Sequence, residues 1–469
     1  MVRDLRTYLT GLEKAGELLH IRGEINPKTE LGGVAWQAQN KIGKATYFEK
    51  LKGYHGWRAV SYIHGSRKRI ALALGTTPSN FIPEIIKRMD KGLTKCNLVN
   101  SGPVKETIWT DDAVDLYKIP IHTHSDSCIG PYIGGGIGIV KDPEYGIRNV
   151  SIHRHQLKSR NKLGIMMIEG RHMDLIYKKY EKRNEPMPIV IAIGHDAAYY
   201  ISACWTTKLG VDEFEIAGTL MGEPVELVKC ETIDLEAPAH AEIVIEGEVP
   251  PLIREQEGPF AEHTGYARAG SGLNPIVNVK AITMRSDAIY YALQGGRPES
   301  ESQTLDGMPM EVVLFKRLMD VGGHVNLKDV VALPYAGGSH IVVIQMVPEI
   351  EGQVHDVLLA ALSSPYIHPK IAIAVDEDVD PHDPKELFWS ISTRVNPKED
   401  VFLVPGCKGH PLDESAELIT PKDTTPSIRM ISKMGIDSTK PPTRTPDARD
   451  LFRRSAPMGL GRVLIDDYI

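Results

Sequence analysis

Apolar positions change their period along this chain, and the change divides it. Asp4 can cap a helix in which Leu5, Leu9 and Leu12 share one face, with Gly16 near its end. A second helix is predicted over 80–93, and a connection over 111–120. From there to residue 295 the signals are short runs bounded by Gly, Pro or Asp. Gly136–Val140, Ile189–Ile193, Ala241–Gly247 and Val277–Thr283 each read as a strand. Beyond Pro298 helices are predicted over 310–322 and 353–363, alternating with buried strands over 340–347 and 371–375. That alternation implies a separate α/β layer. The tail from Asp437 is rich in Pro, Thr and Arg and reads as irregular, with one short helix over 447–454. The expected class is α/β (α+β overall): an N-terminal α/β segment (1–110), a central β-rich domain (111–298) and a C-terminal α/β domain with its tail (299–469).

Composition narrows the class. The chain has 469 residues, 42% hydrophobic and 25% charged, as globular proteins do. That length suits about two or three domains. A net charge of −7 argues against a nucleic-acid or anionic-membrane surface, while a local basic pocket for a phosphate stays open. Cys96, Cys128, Cys204, Cys230 and Cys407 form no C-x-x-C pair, so neither a disulfide framework nor a zinc ribbon is expected. No apolar run approaches the roughly 18 residues of a membrane span. Met1-Val-Arg-Asp-Leu-Arg6 lacks the apolar core of a signal peptide, and a cytoplasmic enzyme is the expectation.

Candidate chemistry starts at Glu257-Gly-Pro-Phe-Ala-Glu262-His-Thr-Gly-Tyr266. Pro259 fixes its own φ and biases Gly258 away from the helix, so the segment turns. A turn can hold two acids close. A charge on one then disfavours a charge on the other, which suits a general acid. Surface loops carry the same residue types, so the weight comes from a second segment, Asn149-Val-Ser-Ile-His-Arg154. Other motifs are weaker. Gly134-Gly-Gly-Ile-Gly138 lacks the third glycine of a dinucleotide loop and continues a strand, which points to packing glycines. His122 and His124 would share a strand face, yet no third ligand follows at a recognisable spacing, so a solvated or hydrogen-bonded pair is expected. Asp376, Asp378 and Asp380 lack the Gly and Glu of a calcium loop, which leaves a structural or interdomain role. Cys204, beside Trp205, has no nearby His or helix N-terminus to activate it.

In their order and spacing, the two segments resemble the UbiD-type decarboxylases, which use prenylated FMN. The family's Asn, then Ile-x-Arg, then Glu-Gly-Pro-aromatic-x-acid are met by Asn149, Ile152, Arg154, Glu257, Phe260 and Glu262. Asp212-Glu213-Phe-Glu-Ile-Ala-Gly218 is similar to the family's metal-binding Glu on a helix. Asp376–Asp380, Ser392–Arg394 and Ser432–Asp437 also look family-like, so the likeness spans nearly the whole chain. It implies a split-barrel flavin-binding central domain and a C-terminal domain that carries subunit contacts, in a homodimer or homohexamer. The implied reaction is a non-oxidative, reversible decarboxylation of an aromatic, heteroaromatic or α,β-unsaturated acid through a prenylated-FMN adduct. Loss of CO2 from an sp2 carbon needs an electron sink, which the cofactor supplies. A flavin prenyltransferase is the implied source of that cofactor.

By the same resemblance, Arg154, Glu257 and Glu262 are the catalytic set, with Glu262 delivering the proton and Glu257 paired to Arg154. Asn149, His172 and Glu213 match the metal ligands, a mixed oxygen and imidazole set suited to Mn2+ or Mg2+. Ile152, His153 and Arg154 line the isoalloxazine, with Met166, Met167 and Ile168 along the next strand. Arg171 and His172 are further cofactor contacts, and Lys370 lies near the flavin phosphate. Ser202, Ala203 and Trp205 fall where relatives use backbone carbonyls for K+. Substrate contacts are expected after Gln294-Gly-Gly-Arg-Pro298, from Thr304 and Met308, and from 403–411. Two rivals remain. A plain FMN oxidoreductase would not need two acids facing an arginine, and its flavin would be bleached by NADH. A subunit of a multi-subunit aromatic carboxylase is the other; a non-catalytic one should lack Arg154, Glu257 or Glu262, and this chain keeps all three.

Overall fold

The structure, a computed structural model, describes residues 3–267, 271–337, 339–419, 429–441, 446–460 and 462–468. Its first helix, Leu5–Lys14, starts where the expected cap puts it. Asp4 Oδ1 accepts the Thr7 amide at 2.8 Å, and Thr7 Oγ1 accepts the Asp4 amide at 2.9 Å. A four-stranded sheet follows in the order Leu18–Ile25, Ala45–Leu51, Arg58–Ser61, Ile289–Tyr291. The last strand returns from beyond the central strands and lies parallel to Arg58–Ser61, as a long crossover allows.

The central strands close on themselves. In the order Ile243–Val249, Met187–Ile193, Tyr132–Lys141, Arg148–Ser159, Lys162–Ile165, Gly272–Met284, each pairs antiparallel with the next. Gly272–Met284 then pairs back onto Ile243–Val249. Six strands thus make a barrel with no free edge inside the ring. All four expected strands lie in it, the third starting at Ile243 instead of Ala241. The glycine run is a packing device on the Tyr132–Lys141 strand. A Cβ on Gly136 would stand 2.7 Å from Ile191 Cγ2, and one on Gly134 would stand 2.9 Å from the Leu293 carbonyl oxygen.

Beyond Pro298 lies a six-stranded sheet. Ile341–Val347, Ile371–Val375 and Arg429–Ser438 run parallel at its centre. Asn326–Ala332, Val401–Lys408 and Glu417–Leu418 pair antiparallel at its margins. The N-terminal sheet and the barrel share one apolar core, whereas this sheet has its own on each face. The helix Glu301–Leu318 joins them. Its Leu305, Met308 and Val312 enter the barrel core, and its Met310, Leu314 and Leu318 enter the C-terminal one.

Three expected elements are corrected. The helix expected over 310–322 starts at Glu301, where Ser300 and Gln303 form a capping box, and ends at Leu318. Pro309 then lies inside it and forfeits one i→i−4 bond, which burial on both sides offsets. The helix expected over 80–93 is Phe81–Met89, stopped by a turn in which Gly92 adopts φ 92°. The tail becomes irregular after Ser438, where the strand ends, and its short helix is Pro446–Asp450. The acidic strand end is structural. Asp378 takes both guanidinium nitrogens of Arg394 at 3.0 and 2.9 Å and Lys440 at 2.9 Å, while Asp376 takes Arg449 at 2.9 Å.

Gly136→Ala should cost about 1–3 kcal/mol, because the buried Ile191 and His155 side chains must shift to admit one methyl group. Denaturant titration should show a lower midpoint at unchanged slope. An unchanged midpoint would contradict the packing role.

Candidate active site

A cavity of about 440 Å³ opens where the barrel, the 257–266 turn and the C-terminal domain meet. That volume is in the range of small-molecule sites, about 300–1,000 Å³. Ile152, Met166, Ile168, Phe260, Leu293 and Leu305 supply apolar wall, and Arg154 and Arg171 are its basic groups.

Arg154 projects from the long Arg148–Ser159 strand and is 9% exposed. Glu257 ends the Arg254–Glu257 strand and is fully buried. Gly258 follows at φ 85°, with Ser271 Oγ 2.8 Å from where a Cβ would sit, so this turn needs glycine. The chain then packs Phe260 on Tyr132, ring centroids 4.6 Å apart, and carries Glu262 to the cavity wall. Arg154 Nε donates to Glu257 Oε1 at 3.0 Å and Nη2 donates to Oε2, a bidentate pair. Its Nη1 is paired with Glu262. Asn274 Nδ2 donates a further bond to Glu257 at 3.3 Å, and the guanidinium lies 5.1 Å from the centre of the Phe260 ring. Of the two acids, Glu257 grips the arginine from behind and Glu262 faces the space a ligand would fill.

Asn149, His172 and Glu213 also meet. Glu213 opens the Glu213–Met221 helix and is 2% exposed. Its Oε2 accepts the Val150 amide at 2.7 Å, and its Oε1 accepts Asn149 Nδ2 at 3.2 Å and lies 4.0 Å from His172 Nδ1. Burial pushes this carboxyl up to about 8. A buried carboxylate beside an amide and an imidazole, with no lysine or arginine paired to it among the described residues, fits a divalent cation. Arg171, whose Nη2 donates to Thr206 Oγ1 at 3.2 Å, and Ser151 lie on the same wall and suit a phosphate.

His153 is held neutral by burial, its ring pushed down to about 4, and it bonds Ser151 and the Met166 carbonyl at 2.9 Å each. Ile152, His153, Arg154, Met166, Ile168, Arg171 and His172 all line the cavity, but other expected residues do not. Met167 is packed in the barrel core, and Met166–Ile168 follow the Lys162–Ile165 strand instead of lying on one. Lys370 donates to Asp413 and Ser415 at 2.9 Å each and does not reach the wall. Thr304 and Met308 are buried away from the cavity; the helix presents Ser302, Leu305 and Asp306 instead. From the 403–411 stretch His410 reaches it, while Leu403 is exposed. Ala203 and Trp205 line the cavity, and the Ser202 carbonyl instead accepts the Trp205 amide at 3.0 Å. His122 and His124 are buried, not solvated, and His124 accepts the Gly295 amide at 3.3 Å. Asp306, His263 and His368 line the wall without a sequence signal, since only the fold brings such distant positions together.

Known proteins place this arrangement. Residues 9–89, 97–298 and 303–438 match the N-terminal, Rift-related and C-terminal domains of the 3-octaprenyl-4-hydroxybenzoate carboxy-lyase family, UbiD. The chain belongs to the UbiD family. It is 33% identical to the phenolic acid decarboxylase of Sedimentibacter hydroxybenzoicus over 97% of this chain and 95% of that one. Its fold is similar to that of the UbiD-class enzyme HmfF from Pelotomaculum thermopropionicum in complex with FMN, at a TM-score of 0.88 and 35% identity, over 99% of this chain and 100% of that one. An evolved dimeric form of HmfF in complex with prenylated FMN matches at 0.86 and 33%, over the whole of both chains.

Glu213 also sets a pH dependence. Its carboxyl titrates near 4.5 when ordinary and near 8 in the fold, so the metal-free folded protein keeps a proton that the unfolded chain releases. Stability of metal-free protein should therefore fall as pH rises from 4.5 to about 8. Glu213→Gln should flatten that decline. Thermal melts across the window check this; equal slopes for both proteins would contradict it.

Proposed function

We infer that the protein is a carboxy-lyase that removes CO2, reversibly and without net oxidation, from an aromatic acid held in the cavity. The observation that carries this reading is Arg154 fixed between the fully buried Glu257 and the cavity-facing Glu262. A phenolic acid is the favoured substrate, in keeping with the name of the 33% identical relative. Its ring would lie against Ile152, Met166, Ile168, Phe260 and Leu305, which keep water from the reacting carbon.

Prenylated FMN, when bound, supplies the electron sink that an sp2 carbon lacks. The chain's own residues do the rest. Asn149, His172 and Glu213 would hold a divalent ion, Mn2+ or Mg2+, and with Arg171 would place a dianionic phosphate. Carbonyls of the Ala203–Trp205 stretch suit K+. Glu257 holds the Arg154 guanidinium in one orientation, and Arg154 in turn positions Glu262. Glu262 carries a proton on its carboxyl and gives it to the carbon that CO2 has left. A flavin prenyltransferase provides the cofactor, and the working form is a cytoplasmic homodimer or homohexamer. The boundaries near 110 and 298 mark its three parts.

Glu262→Gln keeps shape and hydrogen bonding but carries no transferable proton, so turnover should fall about a hundredfold or more. Flavin absorbance of the same preparation should stay at the wild-type level. Turnover near wild type would remove Glu262 as the donor. Protein made without a prenyltransferase should fold and yet release no CO2 from a panel of phenolic acids, whereas co-expression should restore activity. Turnover by protein that mass spectrometry shows to be free of prenylated flavin would overturn the reading.

A further inference from the structure

Three imidazoles from separate segments converge on the cavity wall. His263 follows Glu262, His368 precedes the Ile371–Val375 strand, and His410 follows Val401–Lys408. One ring nitrogen from each lies within 4.8 Å of the other two. The His410 ring centre is 4.8 Å from that of His368 and 5.1 Å from that of His263. Nε2 of His263 and Nδ1 of His368 are buried and find no hydrogen-bond partner among the described residues. His340 stands behind, donating its Nδ1–H to the His368 carbonyl at 3.1 Å. Burial holds these rings neutral, which leaves lone pairs in place of charges. Apart from the substrate contact expected of the 403–411 stretch, which includes His410, no role assigned above uses them.

We propose that His263, His368 and His410 form a second metal site, for a borderline divalent transition ion such as Zn2+ or Co2+. Three equal bonds of about 2.05 Å at tetrahedral angles put ligand nitrogens about 3.3 Å apart, so each ring here moves inward by about 0.8 Å at most. Nδ1 of His410 accepts the Leu412 amide at 3.2 Å, a long contact that a metal bond displaces. An all-imidazole set without a carboxylate favours Zn2+ or Co2+ over Mg2+ and Ca2+, unlike the oxygen-rich set at Asn149, His172 and Glu213. Three protein ligands on a cavity wall leave a coordination position turned to the cavity, where an oxygen of the bound acid completes the shell.

The test uses the full chain, stripped with a chelator, saturated with Mn2+ and titrated with Co2+ while visible absorption and bound metal are followed. One further equivalent should bind, with the d–d bands of a nitrogen-ligated site of low coordination number. His263→Gln and His368→Gln should each weaken it at least about tenfold, the loss that even a second-shell change inflicts on metal sites. Glu213→Gln should leave it intact, which separates this proposal from the cofactor-anchoring one. No further equivalent under saturating Co2+ would overturn it. So would bands that vanish in Glu213→Gln and persist in His368→Gln.

Discussion

The buried pair between Arg154 and Glu257 is the contact on which the site depends. Two charges removed from water are stable only if their geometry is good and their remaining lone pairs are met. Here the guanidinium fork meets the carboxylate in two parallel bonds, Asn274 satisfies one carboxylate oxygen further, and Phe260 covers the guanidinium face. With two of its nitrogens engaged behind the wall, Arg154 has one orientation left for Nη1, and Glu262 is held there. The turn at Gly258 exists to let one short segment supply both acids, one from each side of the arginine.

The architecture around that pair explains where the cavity lies. A closed barrel offers a rigid wall, and loops beside the C-terminal strands, carrying Ile367, His368, His410 and Leu412, complete the cavity on its other side. The Glu301–Leu318 helix belongs to both apolar cores, so the two halves are coupled through packing and not through a linker. The same helix puts Leu305 and Asp306 on the cavity, so a change in its seat would alter both the wall and the chemistry facing a ligand.

Much of this was legible in the sequence, for physical reasons. The Asp4 cap, four of the six barrel strands and two of the three central C-terminal strands follow local rules of capping and period. Arg154, Glu257 and Glu262, and likewise Asn149, His172 and Glu213, stand together as the family resemblance implied. Pattern failed where tertiary burial decided. Pro309 was carried inside a helix because both sides of that helix are buried, and Met167 turned to the core while Met166 and Ile168 kept the wall. Lys370 found Asp413, a partner that no spacing announces, and the imidazoles of His263, His368 and His410 meet only because three loops end at one place.

The most direct test of this account is the turnover of Glu257→Gln, measured beside its flavin and metal content. Glu257 does not touch the cavity, so a role in ligand contact alone would leave the variant active. If the buried pair orients Arg154 and through it Glu262, the neutral amide should loosen both and lower turnover about a hundredfold, with cofactor and metal retained. Wild-type turnover in Glu257→Gln would contradict the account at its centre.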